Sequence, residues 1–526
     1  DSNRVAVLWA LSLPAFLAAA RTCDGRPAVR RPTLQSAALL LAAAAIPVLV
    51  RVANFDSDRM HGDEFLTGYF SLTHDFSHRP FFGYMPEKWE WQGQFPTTYF
   101  FLQKLLLAVL GVSTTALRLS IQVYVAIIGL CVFLIAREIL GNAAGMIAVF
   151  LYSFLAASVY LETLAHFFTA ATAAFCVFFY FALRAYKTGS PFHAAAAGFA
   201  CGFCYLFYYS SYLAFPVLVT FAAVHGIRAR RTWPLQNFAI SLAGMLLVLA
   251  PFLAFIARSG NYAFRRVEDM SLVGGAAAEE EARPGPLTLL AKNVLLSANS
   301  LFRDGIAGAG GFEFGHFAIL EPLSVALFTA GLLLAAILVF RKTELLFVFA
   351  TLAGCLAMVA LAVPPPTGHR FSLALPFVAI VMALPLRLLL ERRWAPATVR
   401  AALVAGLLFL YASLNERRLV EAVIRDASPD ELRLSELLNQ RFGPRHLYVA
   451  AFDAFFFEKV FYFQDRWKGL RRVDTKFHSY LLENFRRGEK YVYVMILGDA
   501  FRRQFEKADP AGRYTRFSVG YSLFFN

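Results

Sequence analysis

The sequence predicts an α-helical membrane protein that crosses the bilayer many times. Of its 526 residues, 58% are hydrophobic and only 16% are charged, whereas soluble domains average about 45–50% apolar and about 25% charged residues. Long apolar runs alternate with short basic segments as far as Leu414. The formal net charge of +14 fits such a protein, because basic residues collect in cytoplasmic loops. No basic stripe with interleaved aromatics precedes the C-terminal region, so a nucleic-acid partner is not expected.

The basic residues between the apolar runs set the orientation of each predicted span in the membrane. The arginine-rich segment 21–31 precedes the first clear span and marks its cytoplasmic end. Phe95–Gly111 is apolar enough to cross, but crossing would put later basic pairs such as Arg184 and Lys187 outside, so we expect it to lie flat at the interface. The short run Val5–Ala20 is open between an extra helix, an interfacial helix and the remnant of a signal sequence. The predicted spans, part of a total of about 11–13 helices, are 35–52, 119–136, 143–160, 166–183, 191–207, 211–226, 235–257, 318–340, 344–363, 371–390 and 399–414.

Composition divides the chain into two predicted domains. Residues 1–414 form the transmembrane part, with large outer loops at 53–118 and 258–317. From Asn415 onward charges occur every few residues, and strand-like runs alternate with helix-like stretches. We therefore predict a small α/β domain over 415–526, which the same topology places on the outer side of the membrane.

The densest polar segment beside a span is Asn54–Ser71. Its acids and histidine are Asp56, Asp58, His61, Asp63 and Glu64. Charges next to a span lie in a headgroup-level loop or line a polar cavity, so we place the catalytic centre here, at Asp63 and Glu64. The plainer interpretation of this adjacent pair is a helix N-terminus that favours acids.

Three further outer features carry candidate residues. Glu162 lies at a predicted outer turn, and His166 would share a helix face with it. His369 and Arg370 follow three prolines at the mouth of a span, where an arginine suits a phosphate or merely snorkels toward water. The long second loop is of a length that is usually functional or disordered. Its candidate residues are Arg265, Arg266, Glu313 and His316.

Acids and basic groups at one membrane level favour an enzyme that uses a lipid-linked phosphate donor. A carboxylate there would deprotonate an acceptor hydroxyl, and a cation would hold the leaving phosphate. Two other classes stay open: a transporter or flippase for a lipid-linked substrate, and a non-catalytic subunit of a larger membrane complex. Transporters place their charges in mid-span, whereas the acids here lie in the outer loops.

Four segments, in order, resemble the GT-C superfamily of polyprenyl-phosphate-sugar-dependent glycosyltransferases. The resemblance is to the family 39-like branch of protein O-mannosyltransferases and lipid A aminoarabinose transferases. The segments are HGDEFLTGY, QFPTTYFFLQKLLLAVLGVSTTALRLS, YLETLAHFF and PPPTGHRFSLALPF. The resemblance implies the GT-C fold, a polyprenyl-phosphate-sugar as donor, and a glycolipid, glycan or protein as acceptor. It also implies a bacterial inner membrane location, with the active site facing the periplasm.

The resemblance also implies roles for individual residues. Asp63 corresponds to the base or acceptor-positioning acid of the first outer loop, and Arg370 to the donor-phosphate ligand. Glu162 corresponds to the acid of the second outer loop, so we expect it to be a catalytic residue together with Asp63 and Glu64. The family commonly has an arginine shortly before the second acid, and none stands close before Glu162. We group His369, Arg265 and Arg266 with Arg370, and expect His61, His166, Glu313 and His316 to line the site. Asp56 and Asp58 form a DxD pattern, so a requirement for a divalent metal is left open.

Overall fold

The computed structural model describes residues 2–24, 33–55, 62–73, 96–229, 233–259, 286–303, 317–361 and 368–425, together with short segments between 447 and 525. Most of these residues lie in helices, which we number α1 to α17. They are α1 (Ser2–Cys23), α2 (Leu34–Val52), α3 (Gly62–Thr73), α4 (Thr97–Leu110), α5 (Thr114–Ser120), α6 (Gln122–Leu140), α7 (Asn142–Phe154), α8 (Ala156–Glu162), α9 (Phe167–Thr188), α10 (Pro191–Tyr205), α11 (Ala214–Ala229), α12 (Trp233–Ser259), α13 (Pro286–Ser300), α14 (Pro322–Leu338), α15 (Glu344–Leu361), α16 (Leu375–Glu391) and α17 (Ala397–Arg425). Two 3-10 turns, Tyr209–Leu213 and Gly368–Phe371, precede α11 and α16.

The multi-pass membrane architecture is confirmed. In the described part of the chain, six helices are long and apolar enough to cross a bilayer, or seven if a bent pair counts as one span. The six are Leu34–Val52, Thr114–Leu140, Phe167–Thr188, Leu235–Arg258, Glu344–Leu361 and Ala397–Ala422. The other predicted spans also coincide with helices, which are shorter. The short apolar run Val5–Ala20 belongs to α1, which is an additional helix. Its Trp9 indole N–H donates to Leu247 O in α12 at 3.1 Å.

Two compact units make up the chain. The first comprises Asp1–Asp56, Asp75–Leu102 and Ile121–Ala422. The second comprises Ser57–His74, Gln103–Ser120 and Val423–Asn526.

One end of the first unit carries a charged layer. The Glu138 carboxylate at the end of α6 accepts from Arg184 Nη1 at 2.9 Å and contacts Lys187 Nζ at 3.3 Å, both in the last turns of α9. Lys342, in the turn between α14 and α15, donates to Ile139 O at 2.6 Å. Three segments that the charge rule places on the cytoplasmic side therefore lie together at one end of the unit.

The other end of the first unit holds the predicted outer turns. The start of α6 lies here because Gln122 Nε2 donates to Glu162 O at 3.3 Å. The start of α4 lies in the same layer, since the Tyr99 ring contacts Phe167 with centroids 5.9 Å apart. A chain that starts α4 and α6 at the same end does not cross between them. This agrees with the flat placement predicted for Phe95–Gly111, as does the 14-residue length of α4, about 21 Å against a hydrocarbon core of about 30 Å.

The prediction that 143–160 forms one continuous helix is wrong, because the helix is interrupted at Leu155. Helices α7 and α8 meet at 64°, and Leu155 between them has an extended backbone with ψ of 112°. The Ala156 N–H at the break donates to Asn415 Oδ1 at 3.0 Å, and both residues are buried. A side chain of α17 thus satisfies a backbone donor that the interrupted helix would otherwise leave unpaired.

Two other boundaries differ from the sequence prediction. The second outer loop contains α13, whose Asn293 Nδ2 donates to Ala360 O of α15 at 3.0 Å. Helix α17 continues to Arg425, past the change of composition at Asn415. Asn415 is buried and Tyr411 OH donates to Leu151 O at 2.8 Å, so this helix still packs on α7 where its outer face becomes charged.

The described residues of the C-terminal region include a four-stranded sheet. Its strands are β1 (Leu447–Ala451), β2 (Tyr491–Met495), β3 (Arg513–Arg516) and β4 (Ser522–Phe525), in the order β1-β2-β4-β3. The β1–β2 pair is parallel, and the pairs with β4 are antiparallel. The helices predicted for this region fall outside the described residues, so its α/β class stays a prediction.

Candidate functional site

A buried ion pair joins Arg51 in the last turn of α2 to Glu162 at the end of α8. Arg51 Nη2 and Nε donate to Glu162 Oε2 at 2.9 and 3.1 Å. Glu162 Oε1 accepts from Tyr152 OH at 2.5 Å. Both charged residues are 0% exposed. Both carboxylate oxygens of Glu162 are therefore engaged inside the protein.

The guanidinium of Arg51 has further partners in the same region. It donates to Ser153 O at 2.7 Å, to Ser158 Oγ at 2.5 Å and to Tyr152 O at 3.3 Å, and it lies 5.0 Å from the centroid of the Tyr152 ring. A buried ion pair is tolerated only when its remaining donors and acceptors are also satisfied. The break between α7 and α8 meets this need, because it turns the carbonyls of 152 and 153 and the Ser158 hydroxyl toward one point.

The expectation that Glu162 and His166 share a helix face is wrong. Helix α8 ends at Glu162, and His166 is the extended residue that precedes α9, with φ of −128°. The His166 ring instead stacks on Phe168 with centroids 4.6 Å apart. The structure therefore places His166 in an aromatic cluster.

His369 lies in the same aromatic cluster. Its Nε2 is 3.1 Å from Tyr208 OH, and its ring stacks on Phe168 with centroids 5.8 Å apart. The Tyr208 ring in turn contacts Phe167 at 4.9 Å. Arg370 follows in the same 3-10 turn and is half-buried. Residues that are far apart in the sequence thus meet at the end of the first unit that carries Glu162.

The second unit contains Asp63 and Glu64 of the first outer loop. Arg118 donates two hydrogen bonds to the Glu64 carboxylate, from Nε to Oε1 at 2.9 Å and from Nη2 to Oε2 at 3.2 Å. Both side chains are at most 4% exposed. A fork of this kind is stronger and more directional than a single contact. Asp63 occupies the first turn of α3, immediately before Glu64.

A second contact fixes α3 against α4. Ser71 Oγ donates to Gln103 Oε1 at 2.7 Å, and Lys104 Nζ donates to Leu72 O at 3.3 Å. With the Glu64–Arg118 pair at the other end, α3 is attached at both its first and last turns. Asp63 therefore stands on a helix whose position is set by buried polar contacts.

Several predicted site residues lie outside the described residues. They are Asp56, Asp58, His61, Arg265, Arg266, Glu313 and His316. Among the described residues, no group of three or more histidines, cysteines or acids is arranged to hold a metal ion. The DxD pair falls outside that search, so its role stays a prediction.

Sequence reasoning missed Arg51. A signal was available, because an arginine within the last turn of an apolar span requires a buried acidic partner or a route to water. The partner is the outer-loop acid that lacks a nearby arginine in the sequence. Arg51 lies 111 positions before Glu162 and supplies that arginine from another helix.

Comparison with known proteins agrees with this architecture. Residues 95–257 match the family model described as dolichyl-phosphate-mannose-protein mannosyltransferase. These residues include α4 to α11 and most of α12, with Glu162 and Tyr208 among them. No protein of curated function matches the sequence.

Solved structures match over much more of the chain. ArnT from Cupriavidus metallidurans, bound to undecaprenyl phosphate, is 11% identical, with 94% of this chain and 98% of that chain covered and a TM-score of 0.55. The oligosaccharyltransferase AglB from Archaeoglobus fulgidus, in complex with an inhibitory peptide and a dolichol-phosphate, is 14% identical, with 82% of this chain covered and a TM-score of 0.52. The present chain spans 64% of the length of AglB.

At these identities the comparison concerns the fold. The match to ArnT extends over nearly the whole of both chains. The resemblance is confirmed: this chain is a multi-pass membrane protein with the fold of the GT-C glycosyltransferases.

Proposed function

We propose that this protein is an integral-membrane glycosyltransferase. It moves a sugar from a polyprenyl-phosphate-linked donor to a glycolipid, polysaccharide or protein acceptor. The reaction takes place at the outer face of the membrane, which in a bacterium is the periplasmic face of the inner membrane. The C-terminal region, 415–526, stands on the same side.

The observation that carries the proposal is the position of His369 and Arg370. Both lie in a short 3-10 turn at the end of the first unit opposite its charged Glu138 layer. The partner of His369, Tyr208, holds its ring in place at 3.1 Å. A half-buried guanidinium at the membrane boundary binds phosphate more strongly than it would in bulk water, and it can contact two phosphate oxygens at once. Arg265 and Arg266 would place further positive charge near the same phosphate.

The acid that acts on the acceptor is Asp63. Its neighbour Glu64 is held by the two-pronged contact with Arg118, and Glu162 is held by Arg51 and Tyr152. We assign proton transfer to Asp63 because the resemblance matches it to the base or acceptor-positioning acid of the first outer loop. Glu64 and Glu162 then serve as positioning residues that fix α3 and α8.

The reaction is a single displacement. The acceptor oxygen attacks the anomeric carbon of the donor sugar as its proton passes to Asp63. The bond between that carbon and the phosphate oxygen breaks, and the phosphate leaves with the electron pair. Arg370 stabilises the negative charge that develops on it. Attack opposite the leaving group inverts the configuration of the sugar carbon. Asp56 and Asp58 would hold a divalent ion if one takes part, and chelation of the purified enzyme tests this.

The proposal is tested by donor consumption. Purified protein in lipid nanodiscs is incubated with membrane-extracted polyprenyl-phosphate-sugars and an acceptor extract, and released polyprenyl phosphate is measured by mass spectrometry. We expect Asp63→Asn to lower the rate by about 10²–10⁴-fold, which is the rate enhancement that a positioned general base usually contributes. Glu421→Gln makes the same chemical change at a half-exposed acid of α17 and should leave the rate unchanged.

Two results would contradict the proposal. Wild-type protein that releases no polyprenyl phosphate from any donor fraction would exclude the transferase activity. Near-normal turnover by folded Asp63→Asn would remove Asp63 from the reaction while leaving the activity itself intact.

A further inference from the structure

A cavity lies in the first unit at the end away from the candidate site. Its volume is about 40 Å³, and it is lined by residues of α9, α10, α11 and α12. Its lining is mostly apolar and includes Ala182, Tyr186, Ala197, Phe221, Asn237 and Ser241. Tyr186 is adjacent to Lys187 of the charged layer around Glu138, so the cavity is close to the predicted cytoplasmic surface.

Asn237 is the unusual member of this lining. It is 6% exposed, and neither its Nδ2 nor its Oδ1 has a hydrogen-bond partner in the described part of the protein. The neighbouring Ser241 hydroxyl, in contrast, donates to Ala194 O at 2.8 Å. A buried amide with two donors and a carbonyl acceptor left unpaired costs free energy, and such groups usually indicate a bound water or ligand.

The depth of Asn237 restricts what that ligand is. Helix α12 has 27 residues, a length of about 40 Å against a hydrocarbon core of about 30 Å, so each end extends roughly 5 Å beyond the core. Asn237 is four residues after the start of α12, or roughly 6 Å along its axis. The amide therefore lies near the boundary between hydrocarbon and headgroups, the level at which the ester groups of membrane lipids occur.

The cavity is also accessible from the lipid-facing surface. Ala222 and Phe238, which line it, are half-exposed. The outer faces of α11 and α12 carry exposed apolar side chains, with Val219 at 41% and Leu235 at 73%. An acyl chain can therefore lie along these helices while its carbonyl end enters the cavity.

From this geometry we infer a lipid-binding site on the cytoplasmic side of the bundle, which takes the ester carbonyl of a membrane glycerophospholipid. Asn237 Nδ2 donates to the carbonyl oxygen, and Oδ1 accepts from a headgroup N–H or O–H. The cavity holds the carbonyl and the adjoining carbons, and the rest of the chain follows the lipid-facing groove. The site is separate from the proposed sugar-transfer site and does not depend on it.

The test uses protein in nanodiscs that contain a phosphatidylethanolamine with a photoreactive diazirine near the ester end of one acyl chain. An ether-linked analogue with the same diazirine lacks the carbonyl. After illumination, labelled peptides are mapped by mass spectrometry. We expect the ester lipid to label peptides around Phe221 and Phe238 about fivefold more than the ether lipid, the ratio that one net hydrogen bond corresponds to. Asn237→Leu should reduce ester labelling to the ether level.

Thr351→Val is the matched control. Its hydroxyl is also buried without a hydrogen-bond partner among the described residues, but it does not line the cavity. Labelling of this variant should equal that of the wild type. The comparison of the two lipids on wild-type protein needs no variant to fold. Equal labelling by both lipids would overturn the inference, and labelling no greater than at other lipid-facing peptides would mean that the cavity holds water only.

Discussion

Replacement of Glu162 distinguishes a structural role from a chemical one. The sequence predicts Glu162 as a catalytic acid, yet in the structure its two carboxylate oxygens accept hydrogen bonds from Arg51 and Tyr152. Removal of the carboxylate charge by Glu162→Gln would leave the Arg51 guanidinium buried at 0% exposure without its counter-ion. We therefore expect this variant to lose stability first and activity only as a consequence.

The magnitude follows from the burial of the pair. Breaking a buried ion pair by removing one partner costs about 3–5 kcal/mol, because the other charge stays desolvated. Replacement of both partners by apolar residues of similar size is often close to neutral. The double variant Arg51→Met/Glu162→Met loses charges at both positions and leaves only neutral groups unpaired, chiefly the Tyr152 hydroxyl. We expect it to lose less stability than either single methionine variant.

Unfolding of the purified protein in mixed detergent micelles, followed by circular dichroism, measures these differences. Transfer rates of the same preparations, per folded molecule, measure the chemistry. The expected outcome is a large positive coupling energy between positions 51 and 162, with residual transfer in the double variant. A Glu162→Gln protein as stable as the wild type but unable to transfer sugar would refute the structural role and return Glu162 to the reaction.

Three further predictions follow from the described contacts. Arg370→Ala should raise the apparent KM for the lipid donor, and Arg370→Lys should recover only part of this loss; full rescue by lysine would exclude a two-pronged phosphate contact. Arg118→Lys should destabilise the second unit, because a lysine cannot reproduce the fork on Glu64; unchanged resistance of α3 to hydrogen exchange would contradict this. A cysteine at Ser113 should react with an impermeant reagent from outside and one at Thr232 should not; labelling of Ser113 only from the cytoplasm would mean that α4 crosses.

The sequence alone determined the membrane class and the positions of nearly all the spans. These features depend on properties that a linear pattern records: the length of apolar runs, the side on which basic residues collect, and the residues beside each span. The exclusion of α4 from the set of spans also came from charge counting. Contacts of Tyr99 and Gln122 with the Glu162 layer agree with it.

Only the tertiary structure decided which charges are paired. No arginine stands close before Glu162 in the sequence, but helix packing brings Arg51, which lies 111 positions earlier, to 2.9 Å from its carboxylate. The break at Leu155 was equally hidden, because its cost is offset by Asn415, 259 positions from Ala156. Hydropathy averages over a window and cannot register a single distant hydrogen bond. In a low-dielectric interior, however, one such partner decides whether a charge or a broken helix is tolerated.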